Sequence, residues 1–243
     1  MQWTKSLLNF FYPNRCPACE ALIGAHELLC NACGDALLLE QDGYCHYCGK
    51  TICRCSKFPH AYDRAVVCSA YEGGAVPAVI ALKRSSNTNF AVYAAQILAR
   101  RLEQGALYYH KIDCVMPVPM HRSKQRQRGY NQAALIGKEI ARLMDVPYRE
   151  DVLCKGRSKV EQHQLSAEER ARNVDSFSIR ECDLDGMHIL LCDDVLTTGN
   201  TMHRCAGLLK ERGASFVVAA AAATSVPKNQ KKQKDNPNEE DTT

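Results

Sequence analysis

Between residues 64 and 223 the chain alternates two textures, short unbroken apolar runs and longer stretches in which apolar residues recur every three or four positions. RAVVCSAY (64–71), IDCVMPV (112–118), HILLCDD (188–194) and SFVVAAAAA (215–223) are of strand length and predict buried strands. VPAVIALK (76–83) predicts a short helix, and NFAVYAAQILARRLEQG (89–105) an amphipathic helix closed by Gly105. NQAALIGKEIARLMDVP (131–147) predicts a helix with Asn131 near its cap, ended before Pro147, and a further helix runs from about Thr201 until Gly213 stops it. Strand alternating with helix predicts an α/β fold, a parallel sheet flanked by helices.

Residues 1–60 have little apolar periodicity and are dense in Cys, Gly, Pro and Asn, so something other than a hydrophobic core must hold them together. Eight of the 14 cysteines fall between Cys16 and Cys55. Cys16-Pro-Ala-Cys19, Cys30-Asn-Ala-Cys33 and Cys45-His-Tyr-Cys48 are CxxC knuckles, followed by Cys53-Arg-Cys55. A CxxC turn presents two thiolates to one ion, and two such turns complete a tetrahedron, so the spacing predicts zinc on Cys16, Cys19, Cys30 and Cys33 and a second zinc on Cys45, Cys48, Cys53 and Cys55. Gly34 and Gly49 are expected to allow the tight backbone after a knuckle. With all four positions filled by thiolate, each zinc would be structural. The other six cysteines are scattered and read as small core hydrophobes or surface thiols. The expected organisation is a zinc-binding module at 1–60, an α/β domain at 61–226, and a tail at 227–243 whose Lys and acidic residues cancel and which reads as disordered.

Charge changes this picture little. Lys and Arg total 31 against 27 Asp and Glu, a formal +4 that by itself identifies no nucleic-acid partner. No apolar run approaches the ~18 residues of a membrane span, and the N-terminal MQWTKSLLNFFYP lacks the apolar length and cleavage site of a signal peptide. These readings predict a cytoplasmic protein without membrane insertion.

Chemistry concentrates at LLCDDVLTTGNT (190–201). Ligands of open α/β sheets bind at the carboxyl ends of strands, and Asp193-Asp194 sit at such an end. Thr197, Thr198 and Thr201 then lead through Gly199 and Asn200 into a helix N-terminus, where free N–H groups and the dipole favour phosphate. Two carboxylates to accept from vicinal hydroxyls, beside a phosphate loop, describe a ribose 5-phosphate site.

The ordered whole resembles the phosphoribosyl-diphosphate (PRPP) signature of type I phosphoribosyltransferases. A second stretch, VMPVPMHRSKQRQRGYNQ (115–132), carries Arg122, Lys124, Arg126 and Arg128 with no acid, and EQHQLSAEERARNV (161–174) adds a third motif. With Arg128 to Gln132, then Gln164, Leu165, Ser166, Arg170 and Asn173, the chain resembles the ComF family over roughly residues 10–226. That resemblance implies a type I phosphoribosyltransferase fold with a small N-terminal zinc-ribbon module, and a link to DNA uptake in natural competence or to use of external DNA. It also implies PRPP contacts from Asp193, Asp194, Val195, Leu196, Thr197, Thr198, Gly199, Asn200 and Thr201, with Met120, His121 and Arg122 meeting the diphosphate. Magnesium would accompany PRPP, Asp193 and Asp194 being the catalytic carboxylates, and the segment 155–172 resembles the loop that closes over the ligand.

Lys83, Arg84, Lys124, Arg126, Arg128 and Arg170 are candidate phosphate or nucleic-acid contacts. Two classes of function stay open at this point. One is a Mg-dependent phosphoribosyltransferase, for instance one of nucleobase salvage. The other is a binding protein that grips single-stranded DNA and contacts a helicase-like competence partner. No residue identifies an acceptor.

Overall fold

The computed structural model describes residues 13–56, 60–84, 87–104, 111–156 and 176–227. Its elements are α1 (Asn31–Leu37), β1 (Arg64–Ala70), α2 (Ala75–Lys83), α3 (Asn89–Gln104), β2 (Cys114–Pro117), α4 (Arg122–Arg128), α5 (Gln132–Met144), β3 (Leu153–Lys155), β4 (Phe177–Ile179), β5 (His188–Leu196), α6 (Asn200–Glu211) and β6 (Phe216–Thr224). The expected strands and helices of the α/β domain all form, within a few residues of their expected ends. Among the described residues, no helix is long and apolar enough to cross a membrane.

The four long strands make one parallel sheet in the order β1-β6-β5-β2. Side chains along a strand alternate between faces. Leu190, Cys192, Val218 and Ala220 therefore pack with α2, α3 and α5 on one face. Ile189, Leu191, Ala219 and Ala221 pack with α6 on the other. Ala219 to Ala223 are all buried, and small side chains on an interior strand let the helices of both faces approach closely. β3 and β4 form a separate antiparallel pair beside the β2 edge.

Helix α4 was expected only as a basic segment, because RSKQRQR has no apolar period. Its ends make it a helix: the His121 side chain caps it by accepting from Ser123 N at 3.2 Å, and Gly129, at φ 81°, ends it in the left-handed region. Asn131 caps α5 as expected, accepting from Ala133 N at 3.2 Å, while its amide donates to Val118 O at 2.9 Å. Gly34 departs from expectation. It lies inside α1, where no unusual backbone is required, and of the two knuckle glycines Gly49 alone has positive φ, 70°. The expected disordered tail, apart from Pro227, and the QHQLS motif lie outside the described residues.

Arg101 of α3 ties the N-terminal segment to the sheet. It is 7% exposed, donates to the carbonyls of Val67 and Leu39, and lies 5.7 Å from the Tyr44 ring centroid. Replacing it by Met leaves two carbonyls without their charged donor. Arg101→Met is expected to lower unfolding stability by about 2–4 kcal/mol in urea titration, with the zinc content unchanged.

Candidate functional site

The fold brings the expected cysteines together as two sets, Cys16–Cys19–Cys30–Cys33 and Cys45–Cys48–Cys53–Cys55, each with its sulfurs within 4.8 Å of one another. A tetrahedral ion with Zn–S near ~2.3 Å requires sulfurs about 3.8 Å apart. Cys19–Cys30 and Cys45–Cys55 each stand at 3.7 Å. At Cys16 burial opposes ionisation, yet the backbone of Cys30, Ala18 and Cys19 outweighs it and brings the thiol down to about 7. Cys45 falls to about 7 in the same way, with burial opposed by the backbone of Cys48 and Tyr47. Cys33 and Cys55 are pushed up by burial and by the thiols around them. Four such sulfurs cannot all ionise without a cation between them, so the donor set fits structural zinc.

Asp193 and Asp194 are half-buried in β5, between the buried runs 189–192 and 195–196, and the regular alternation of faces breaks across them: Leu190, Cys192 and Val195 share one core face, Ile189, Leu191 and Leu196 the other. Asp194 faces the α2 side, where Lys83 Nζ stands 3.3 Å from its Oδ2. Asp193 faces the α6 side, where its charge acts on Lys155 and Cys205. Each carboxylate also accepts from the next residue's N–H at 2.8 Å, Asp194 N to Asp193 and Val195 N to Asp194. Burial, and then the neighbouring Asp194 charge, hold the Asp193 carboxyl well above the usual carboxylate range.

A chamber of about 250 Å³ over this pair is lined by Lys83, His121, Lys124, Arg128, Lys155 and Thr201 among others, with Met120 at its edge. Lys124 and Arg128 are one turn apart on α4 and share this chamber. Arg122 and Arg126, also one turn apart, line a different cavity of about 640 Å³ with Lys155 and Arg180, and His121 and Met120 line it as well. Thr197, Thr198, Gly199 and Asn200 line a third cavity, also about 640 Å³, walled by Lys50, Arg54, His60, Tyr62 and His203. Val195 and Leu196 are buried in the strand, Arg84 caps the end of α2 outside these three cavities, and Arg170 lies outside the described residues. Sequence reasoning placed Lys155 only in the expected closing loop 155–172, whereas it ends β3 and lines two of these cavities, the rest of that loop from 157 on lying outside the described residues; Lys50, His60 and His203 were missed altogether. For Lys50 no local pattern could have found it, since its partners lie 146 and 147 residues away.

Sheet, carboxylate pair and hydroxyl loop together define a phosphoribosyltransferase-type domain carrying a structural zinc module. A family profile described as "Phosphoribosyl transferase domain" matches residues 88–241, and one described as "Double zinc ribbon domain" matches residues 7–71. Competence protein F of Haemophilus influenzae is 28% identical over 224 residues, which cover 85% of this chain and 95% of that protein. DNA utilization protein YhgH of Escherichia coli strain K12 is 27% identical over 219 residues, 84% of this chain and 94% of that one. Competence protein ComFC of Bacillus subtilis is 30% identical over 114 residues, 47% of this chain and 45% of its own length. The chain belongs to the phosphoribosyl transferase domain family and, within it, to the ComF family.

The raised Asp193 has a measurable consequence for the ligand-free protein. A carboxyl whose folded pKa lies above its unfolded value costs stability as pH rises from the unfolded pKa, near ~3.9, up through the folded one. Asp193→Asn removes that cost. The expected result is a melting temperature about 2–4 °C above wild type at pH 8, with the difference shrinking toward pH 4, read by differential scanning calorimetry.

Proposed function

We propose that the chain binds PRPP, or a related ribose 5-phosphate, across Asp193, Asp194 and the Thr197–Thr201 loop. The observation that carries this reading is the chamber in which the two carboxylates stand among Lys83, Lys124, Arg128 and Lys155. Carboxylates accept hydrogen bonds from vicinal hydroxyls, while four cations around them neutralise a diphosphate. Asp193 and Asp194 are hard oxygen donors that fit magnesium, which would supply further charge neutralisation to the diphosphate when bound. Lys83 would release Asp194 to a ribose hydroxyl and turn to phosphate. Phosphoryl and ribosyl positioning by such a site requires no protein nucleophile.

The names of the relatives, a competence protein and a DNA utilization protein, support a role for this chain in the uptake or use of external DNA. Calorimetry with PRPP and magnesium tests the ligand reading. Wild type is expected to bind, and the double variant Asp193→Asn, Asp194→Asn to bind at least 100-fold more weakly; absence of heat with wild type overturns the reading. Release of labelled diphosphate, with and without a panel of nucleobases, then separates turnover from binding.

A second reading, contact with single-stranded nucleic acid, is favoured by one observation. Among the described residues Arg122, Arg126 and Arg180 have no ion-pair partner, and all three line the cavity beyond α4. Single-stranded oligonucleotide affinity is expected to fall with salt. The double variant Arg122→Ala, Arg126→Ala should flatten the slope of log K against log salt by about 1.4, from ~0.7 per phosphate contact. Fluorescence anisotropy measures both slopes, and identical slopes would remove this reading.

A further inference from the structure

The two four-cysteine sites are attached to different parts of the domain. The first packs on helices: Tyr93 of α3 donates its hydroxyl to Gly34 O at 2.7 Å, Asn87 donates to Arg15 O at 2.7 Å, and Asn89 donates to the Asn14 side chain at 2.9 Å. The second packs on β1 and on the loop that follows β5. Ala65 N donates to His46 O at 2.7 Å, and a Cβ added at Gly49 would meet Leu196 Cδ2 at 2.5 Å.

That close approach carries the side chain of Lys50 beneath the hydroxyl loop. Its Nζ donates to Leu196 O at 2.7 Å and also to Thr197 O. The same two oxygens accept from the end of β6. Leu196 O takes Ser225 N at 3.1 Å and the Thr224 hydroxyl at 3.3 Å, and Thr197 O takes the Ser225 hydroxyl at 2.9 Å. The module's own backbone is fixed beside them. The Tyr62 hydroxyl donates to Cys48 O at 3.2 Å, His60 Nδ1 donates to Tyr62 O at 2.8 Å, and Ala61 N donates to His203 of α6 at 3.0 Å.

A peptide unit is planar and trans, so a carbonyl held on one side aims the following N–H to the other. Lys50 therefore points the N–H groups of Thr197 and Thr198 away from itself. Neither N–H donates to a backbone acceptor outside regular helix and strand among the described residues. A loop that receives an anion on its N–H groups must keep its carbonyls turned away, because an oxygen rotated toward phosphate repels it. A charged donor shared by two adjacent carbonyls holds that orientation more firmly than neutral hydroxyls do.

We propose that Lys50 is the positioning residue of the phosphate loop, so that ligand binding at Thr197–Thr201 depends on the second four-cysteine site through this one ammonium. The proposal rests on the reading of that loop as a ribose-phosphate site. Lys50 does not line the chamber over Asp193 and Asp194, so its removal leaves the charges there in place.

The test uses the full-length, zinc-loaded chain and two readouts. Backbone ¹⁵N relaxation reports loop order without any ligand, and calorimetry with ribose 5-phosphate reports binding. In Lys50→Met the order parameters of Thr197–Asn200 should fall from the rigid range, about 0.85, to below about 0.6, while β5 and β6 keep theirs and zinc content stays the same. Affinity for ribose 5-phosphate should drop at least tenfold. Lys50→Arg, whose planar fork can serve both carbonyls, should recover most of both losses, which a merely space-filling role would not produce. A rigid loop with unchanged affinity in Lys50→Met overturns the proposal. If Lys50→Met sheds zinc or fails to fold, Lys50→Gln takes its place, and an unaltered loop there overturns the proposal equally. If wild type binds no ribose 5-phosphate, the functional reading falls, and loop order in the Lys50 variants still decides the role of Lys50.

Discussion

Eight thiols in the first quarter of the chain can be brought together only around a cation, and most of what lies above them depends on that constraint. Residues 13–56 hold few large buried side chains of their own, among them Leu29, Leu37 and Tyr44, and these pack against the sheet and its helices or beside Arg101. With zinc in place the knuckles become rigid corners that can be set against other elements. Two such corners grip the α/β domain at separate places, one on α3 and one beneath the loop after β5. The cysteine module is thus a wall of the candidate site as well as a folding unit.

At the site itself the governing fact is the closeness of two carboxylates that line one chamber. The two carboxylates repel, and burial together with that repulsion holds the Asp193 carboxyl up. Lys83 from α2 pairs with Asp194 and its charge also lowers the Asp193 pKa, while Lys155 from β3 feels the Asp193 charge as well. A polyanionic ligand of the kind proposed would compete for both cations at once. Helix α4 extends the same logic. Alternate basic side chains along RSKQRQR line two cavities, so seven residues separate a carboxylate-bearing chamber from one in which, among the described residues, Glu150 alone is acidic.

The sheet was legible because its strands are apolar runs bounded by turn residues, and its three longer helices because a 3.6-residue period shows through their polar faces. The cysteine pairings were legible because CxxC spacing is a property of one short turn. Helix α4 was not, since its helicity comes from a cap at His121 and a left-handed stop at Gly129, with no buried face to leave a periodic trace. Strands β3 and β4 are three residues each and far apart in sequence, too short to carry a pattern. The carboxylates and threonines could be named from LLCDDVLTTGNT, whereas the division of the basic residues among three cavities is a tertiary outcome. Arg122, expected beside the diphosphate, lines the cavity beyond α4, while Arg128 lines the carboxylate chamber.

Lys50 belongs to the same class of tertiary facts, and it shows why the cysteine module and the loop are hard to understand separately. An ammonium withdrawn from water loses hydration, and burial lowers its pKa to about 8. Such a group is retained where its hydrogen bonds replace the lost water, and two backbone carbonyls do so here. On the proposed reading of the loop, the same two bonds orient peptide dipoles whose opposite ends would face the phosphate. Under that reading, folding of the second four-cysteine site and readiness of the loop for an anion would be one event, because the residue that completes the packing of the knuckle would also set the direction of the loop's donors.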